Sequence, residues 1–360
     1  MSETELATAR RVFDDEHEAF RDSFAVFVKR EVVPAPSAAA MFAAAGRNGF
    51  LGIQVPEELG GAAVPDPRFG LVGAEELARN GLLGLGLSFA THVGVAIPAL
   101  LDDSTDEQQA RWLPDLVSGE RIAAVGGNTV RFSAQPGGGR LDGVVLGVVN
   151  AASAGLLLIP VAGPDGDPRV AVLDPRAPGV RICNEIEPMG LSDAGLFDIH
   201  LDGVEVDEQD LVHGNLMRIQ RDQRLWSAVL AVAGARTALD WALDYVRGRK
   251  VFGRTVASFE NTRYALAALL AEIVRTESLV DSCVRDHCAG RLAPYRAAAL
   301  ALSAGELLCR AADQALQLHG GYGYMREYPI SQAFADARYF RLASCSSESV
   351  TAILAAELGL

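Results

Sequence analysis

The chain is poor in cysteine. It has five in 360 residues, Cys183, Cys283, Cys288, Cys309 and Cys345, at irregular spacing. That points to reduced thiols in a cytoplasmic setting rather than to a disulfide framework. Cys283, His287 and Cys288 lie close in sequence, but no second ligand pair follows at metal spacing, so no zinc site is expected. A basic excess is also lacking: 32 Lys and Arg stand against 46 Asp and Glu, for a net charge of −14. Non-specific nucleic-acid binding needs a basic surface to displace counterions and is not expected here. The opening Met-Ser-Glu-Thr-Glu-Leu has no apolar h-region, so no signal peptide is read. No apolar run looks long and pure enough to span a membrane. Internal repeats and low-complexity tracts are not seen.

What is present is apolar content enough for large cores, at 49%, and length enough for two or three domains. Three textures divide the chain. Residues 1–118 read as helices joined by short turns. Leu6 to Lys29 carries Phe20, Phe24 and Phe27 at helical spacing, and Pro34 and Pro36 end it. Thr105 with Gln108 offers a capping box. Residues 119–214 have Gly or Pro every few positions, with short apolar runs between turns, and Phe197 to Leu201 alternates with period two. That predicts a small antiparallel β domain. Residues 215–360 are helical again and read as a long helical bundle. Trp226, Leu230, Ala233, Thr237 and Trp241 recur at spacings of three and four. Tyr295 to Leu318 is free of proline, and Gly320-Gly321 supplies its stop.

The most specific signal lies near the end. Gln317-Leu-His-Gly-Gly-Tyr-Gly323 precedes Glu327-Tyr-Pro329 and Ala335-Asp-Ala-Arg338. A helix C-cap explains the glycines alone but not the whole string. The string resembles the C-terminal signature of the acyl-CoA dehydrogenase family. Other segments agree in order: Val55-Pro-Glu-Glu-Leu-Gly-Gly61, Glu75-Glu-Leu-Ala-Arg79, Glu107 to Pro114 with Gly119-Glu120, and Arg249-Lys-Val-Phe-Gly253. The resemblance spans nearly the whole chain. It implies an N-terminal all-α domain, a middle antiparallel β-barrel-like domain and a C-terminal four-helix bundle, with a dimer built on the bundle and FAD bound across it.

Residue by residue, the resemblance divides. The share of the FAD site that a subunit gives its neighbour matches at Arg249, Phe252, Gln317, Gly320 and Gly321. Guanidinium groups suit pyrophosphate oxygens, and glycines let backbone N–H groups approach phosphate. Arg247, Arg249, Lys250 and Arg254 form a basic cluster in an acidic protein. Glu260 stands where the family usually has Gln. The flavin-ring share does not match. Gly126-Gly-Asn-Thr-Val130 and the following residues contain no Glu-Pro and no Gly-Ser-Asp, and Gly147-Val-Val-Asn150 replaces an aromatic and hydroxyl-bearing segment.

Removing an α-proton from an acyl thioester needs a carboxylate in an apolar pocket. The two places where the family carries it hold Ser344 and Gln223, and neither is a base of the needed strength. Asp222 and Glu348 are the nearest substitute carboxylates. Arg224 keeps the family's Arg of the thioester-binding helix. A serine-nucleophile reading fails for want of Gly-x-Ser-x-Gly around Ser344, Ser346 and Ser347. Gly84-Leu-Gly86 and Gly137-Gly-Gly139 lack the Rossmann context and read as turns.

The expectation is therefore a cytoplasmic subunit of a heteromeric α2β2 acyl-CoA dehydrogenase, resembling the base-less partner in actinobacterial enzymes acting on steroid side chains. It would complete the FAD site of a homologous, Glu-bearing subunit and meet an acyl-CoA thioester. Two alternatives stand beside it. One is a self-sufficient flavoenzyme that acts as an oxygenase or on carrier-bound thioesters. The other is a flavin-free binding or scaffold protein.

Overall fold

The computed structural model describes residues 10, 12–127, 129–163, 166–183, 187–214, 216–342 and 347–360. The helical first region holds α1 (Asp15–Phe27), α2 (Ala38–Arg47), α3 (Arg68–Arg79), α4 (Leu83–Thr91), α5 (Ile97–Asp103) and α6 (Asp106–Ser118). In α1 Phe24 and Phe27 are buried on one face, and a box between Asp14 and His17 opens the helix. The expected helix end before Pro34 comes as a π-helical turn, Val28–Val32. The Thr105–Gln108 capping box is present at the start of α6, and Gly119 closes it at φ +75°. One expectation is corrected. Leu83–Asp103, running through α4, a π-turn at His92–Ala96 and α5, is long and apolar enough to cross a membrane. Its apolar window is 94% buried inside the protein, however, which is the environment of a core helix.

The middle region holds eight strands: β1 (Ala123–Val125), β2 (Arg131–Gln135), β3 (Gly138–Val148), β4 (Leu156–Ala162), β5 (Pro168–Leu173), β6 (Val180–Cys183), β7 (Phe197–Asp207) and β8 (Leu211–His213). They form two sheets, ordered β1-β4-β5-β8 and β2-β3-β7-β6. Leu157 and Ile159 from one sheet share a core with Leu141, Val145 and Ile199 from the other. The pairings are antiparallel except β1 with β4, which is parallel. The exception follows from the chain path. The β2–β3 hairpin leaves for the second sheet, and the chain returns to run beside β1 in the same direction.

The last region holds α7 (Leu216–Gly248), a hairpin of β9 (Lys250–Val251) and β10 (Arg254–Thr255), then α8 (Glu260–Cys288), α9 (Pro294–His319), α10 (Pro329–Ala337), α11 (Tyr339–Leu342) and α12 (Ser347–Glu357). Helices α7, α8 and α9 pack together, and α12 lies on α9. The α7 helix also packs on α3 and α4, so one core joins the first and last regions. Charges bridge the same two regions. The Glu75 carboxylate takes Arg10 and, at 3.1 Å, Arg21, while Arg10 Nε reaches Asp281 of α8 at 2.6 Å. Burial pushes the Glu75 carboxyl up, but Arg10, Arg21 and Arg79 outweigh it and hold it below the usual carboxylate range.

Candidate functional site

Two clefts matter. The first, of about 360 Å³, opens between the three regions. Its β wall is Val125 to Gly127, Thr129 and Val144 to Val149; its helical wall includes Thr91, Val95, Gln223, Trp226, Ser227 and Tyr339. On α7 the residues that face it are three and four apart, as helical geometry requires. Its described lining holds no charged side chain.

Three buried polar side chains, His92, Asn150 and Asp336, tie the regions around this cleft together. His92, beneath the Val95 wall, donates from Nε2 to the Leu116 carbonyl at 3.0 Å and accepts the Ala123 N–H on Nδ1 at 3.0 Å. That bond sets one tautomer and ties α6 to β1. Burial pushes the His92 pKa down to about 4, so the ring is neutral. Asn150, at φ +70°, donates from Nδ2 to the Ala123 carbonyl at 2.9 Å and the Ser88 carbonyl at 3.1 Å, and accepts from the Ser88 hydroxyl. Asp336, in the Ala335–Arg338 segment, accepts the Leu191 N–H and the Gln332 amide, each at 2.7 Å. Burial pushes its pKa up to about 6, and Asp193 adds to the shift.

Of the two positions where the family carries its base, the one held by Gln223 lines the cleft. Asp222 does not. Its carboxylate accepts from Arg221 Nε at 2.8 Å and sits 3.5 Å from His287 Nδ1. The one-residue offset on the helix carries it to another face. Arg224 is buried on α7 but lines neither cleft. Glu348 is exposed in the first turn of α12. Ser344 lies outside the described residues.

The second cleft, of about 480 Å³, gathers Arg249, Gly320 and Gly321 with Tyr245, His319 and Tyr322. The sequence places these residues about 70 positions apart, and the packing of α7 beside α9 brings them together. Arg249 lies over the Tyr322 ring at 5.5 Å and Arg254 over Phe259 at 3.9 Å. Among the described residues, neither has a carboxylate partner, so aromatic faces steer these cations and leave their N–H groups available. Gly320 is at φ +60°, and a Cβ on Gly320 or Gly321 would meet open space. Phe252 and Gly253 form the tip of the β9–β10 hairpin, at φ +49° and +78°. Phe252 is 97% exposed. A bulky ring in the left-handed region costs energy, and such strain collects at binding sites. Gln317 is exposed on the last turn of α9. This donor set fits a diphosphate.

The first cleft fits a flavin ring poorly. The Thr129 hydroxyl is committed to the Val144 carbonyl at 2.7 Å, and the Gly147 N–H to Asp198 at 2.7 Å. The wall segments around them offer Gly, Val and Leu side chains.

Sequence reading missed Tyr339 and the cleft-facing role of Trp226, which it placed only in a helical stripe. It also missed His92 as a tie. Alternation and helical period mark burial but not which cavity a buried side chain borders. Among the described residues, the metal-type atoms that converge are those of Asp14, Glu16 and His17.

Comparison with known proteins follows this geometry. The acyl-CoA dehydrogenase N-terminal domain matches residues 14–120 and the acyl-CoA dehydrogenase C-terminal domain matches residues 216–359. The mitochondrial long-chain specific acyl-CoA dehydrogenase of Rattus norvegicus is 28% identical over 381 residues, covering 97% of this chain and 88% of that protein. The crystal structure of an acyl-CoA dehydrogenase from Geobacillus kaustophilus superposes with a TM-score of 0.90 at 25% identity, covering 98% and 100% of the two chains. That of an acyl-CoA dehydrogenase from Bacillus anthracis complexed with FAD gives 0.88 at 22% identity, over 98% and 68% of the chains. The chain belongs to the acyl-CoA dehydrogenase family.

Proposed function

We propose that this chain is the non-catalytic subunit of a heteromeric, FAD-dependent acyl-CoA dehydrogenase. It completes the diphosphate half of an FAD site whose flavin-ring half and catalytic base sit on a homologous partner. One observation carries the reading: the diphosphate-type cleft at Arg249, Gly320 and Gly321 is equipped, while the cleft at Gln223 has no carboxylate in its described lining. FAD, when bound, takes the hydride that leaves the β-carbon of the acyl group. This chain's part is to bind and orient. Arg249 offers a forked donor to phosphate oxygens, the Gly320-Gly321 backbone allows close approach, and the strained Phe252 presents an apolar ring that a second subunit would cover. Gln223 can hold a thioester carbonyl by hydrogen bond but cannot accept an α-proton at neutral pH. Bulky acyl groups such as steroid side chains are the substrates that resemblance to the actinobacterial pairs favours.

An absorption spectrum tests this. The chain purified alone is expected to be colourless in the flavin region, and the chain co-expressed with a Glu-bearing homologue encoded nearby is expected to be yellow and active. Full dehydrogenase activity of the isolated chain sinks the proposal.

A further inference from the structure

His319 is the last residue of α9 and borders the second cleft. The residue is buried, at 5% exposure, and its ring is packed on two sides. Tyr245 of α7 stacks on it with centroids 4.2 Å apart, and Tyr328 meets it edge-on at 5.9 Å. Its Nδ1 lies 2.7 Å from the Ala315 carbonyl. A carbonyl oxygen only accepts, so Nδ1 carries the hydrogen and the tautomer is set. Nε2 has no hydrogen-bond partner among the described residues, yet it is not sealed and stays open to water. The cleft is the open space beside the ring, so Nε2 is the polar atom that His319 offers there.

We propose that His319 is a proton-coupled anion donor, taking up a proton at Nε2 when a diphosphate enters the second cleft and releasing it when the diphosphate leaves. The inference rests on the diphosphate reading above and adds a control to that site. The neutral ring turns a lone pair towards the cleft, which repels phosphate oxygens. With Nδ1 committed, Nε2 can donate only from the imidazolium. The bond it then makes is charge-assisted. The surroundings suit that cation once an anion is present. A histidine at a helix C-terminus meets the negative end of the helix dipole, and the face of Tyr245 lies against the ring. The charged and titratable groups that face it are Tyr245 and Arg249 from α7, Tyr322 from the turn after α9, and Tyr328 at the start of α10. No carboxylate lines the cleft among the described residues, so no internal anion holds the proton in an empty site. Arg249 opposes a second cation there until the diphosphate arrives. The proton therefore comes from solvent, with the ligand.

The test uses the full-length chain with any partner it retains, stripped of flavin, and two probes, FAD and ADP-ribose. Both carry an internal diphosphate whose charge is constant around neutral pH, so titration of the ligand does not enter. Calorimetric titration is expected to show both probes binding roughly tenfold more weakly at about pH 8 than at about pH 6, because an imidazole passes from charged to neutral between those values. At about pH 8, repeating the titration in buffers of different ionisation enthalpy should show net proton uptake on binding. His319→Gln keeps a polar side chain but nothing that titrates, and should flatten the pH dependence to within about twofold. A further measurement does not depend on that variant's folding. In the wild-type chain labelled at the imidazole nitrogens, one of the six histidines should change from neutral ring to imidazolium when ADP-ribose is added at about pH 8. Affinity indifferent to pH, a pH dependence that survives in His319→Gln, or imidazole signals unchanged by ADP-ribose overturns the role of His319 alone. Failure of both probes to bind at either pH overturns the diphosphate reading as well, and this inference with it.

Discussion

Replacing His92 by Gln removes one titrating group from the junction of α6 and β1. In the folded chain burial holds His92 at a pKa of about 4, whereas an unfolded histidine protonates near about 6.5. Between those values the unfolded chain carries a proton that the folded chain does not. Stability from this residue is therefore fully present above the unfolded pKa and is lost as pH falls towards 4. At 1.36 kcal/mol per unit, the loss between about pH 7 and about pH 4.5 comes to about 3 kcal/mol. His92→Gln lowers stability at neutral pH through imperfect replacement of two hydrogen bonds, by about 1–3 kcal/mol. That penalty does not change with pH. The diagnostic quantity is the difference between wild type and variant, measured by urea unfolding at both pH values with tryptophan fluorescence. It should shrink by about 3 kcal/mol on acidification. A difference that stays constant within about 1 kcal/mol refutes a neutral, buried His92.

Asp336 works with the opposite sign: its folded pKa of about 6 is above the unfolded value, so its contribution is lost as pH rises through 6. Asp336→Asn should gain about 3 kcal/mol relative to wild type between about pH 4 and about pH 7 in the same urea assay. Arg249→Ala removes a charge-assisted donor and is expected to weaken flavin retention in the assembled complex roughly tenfold to a hundredfold, read from released flavin fluorescence; unchanged retention would remove Arg249 from the diphosphate site. Glu75→Ala removes the buried carboxylate between Arg10 and Arg21, which keep Asp281 and Glu76 as partners, and should cost about 1–3 kcal/mol of stability by urea unfolding. Gly94→Ala places a methyl against the Trp226 ring, and a melting temperature equal to wild type would show that the indole is not clamped.

Much of the fold was legible because it is written locally. The Thr105–Gln108 box, the Gly320 stop and the period-two run at Phe197 all act within a few residues. The parallel β1–β4 pair was not legible, because it depends on which sheet the intervening hairpin joins. For the stretch Leu83–Asp103, composition records how apolar the helix is, and only the packing shows that protein covers it. Among site residues, Gln223 could be placed by its motif. Asp222 stands one residue from that position, a rotation of about 100° on a helix, and only the packing shows that this turns its carboxylate to Arg221 and His287. Arg249 and Gly321 were linked only by resemblance, since nothing local joins two segments on different helices.

The ties at His92, Asn150 and Asp336 have a consequence for motion. Each crosses a boundary between regions: α6 to β1, α4 to the β domain, and α10 to the loop at Leu191. Hinge opening of the β domain would break all three at once and leave buried polar groups unpaired. Domain opening is therefore a costly route into the first cleft, and side-chain rotation at its rim is the cheaper one. Leu146, 74% exposed on the β wall, is the side chain with most freedom to turn. If the cleft takes an acyl chain as proposed, selection would fall to shape and hydrogen bonding rather than to domain closure around the ligand.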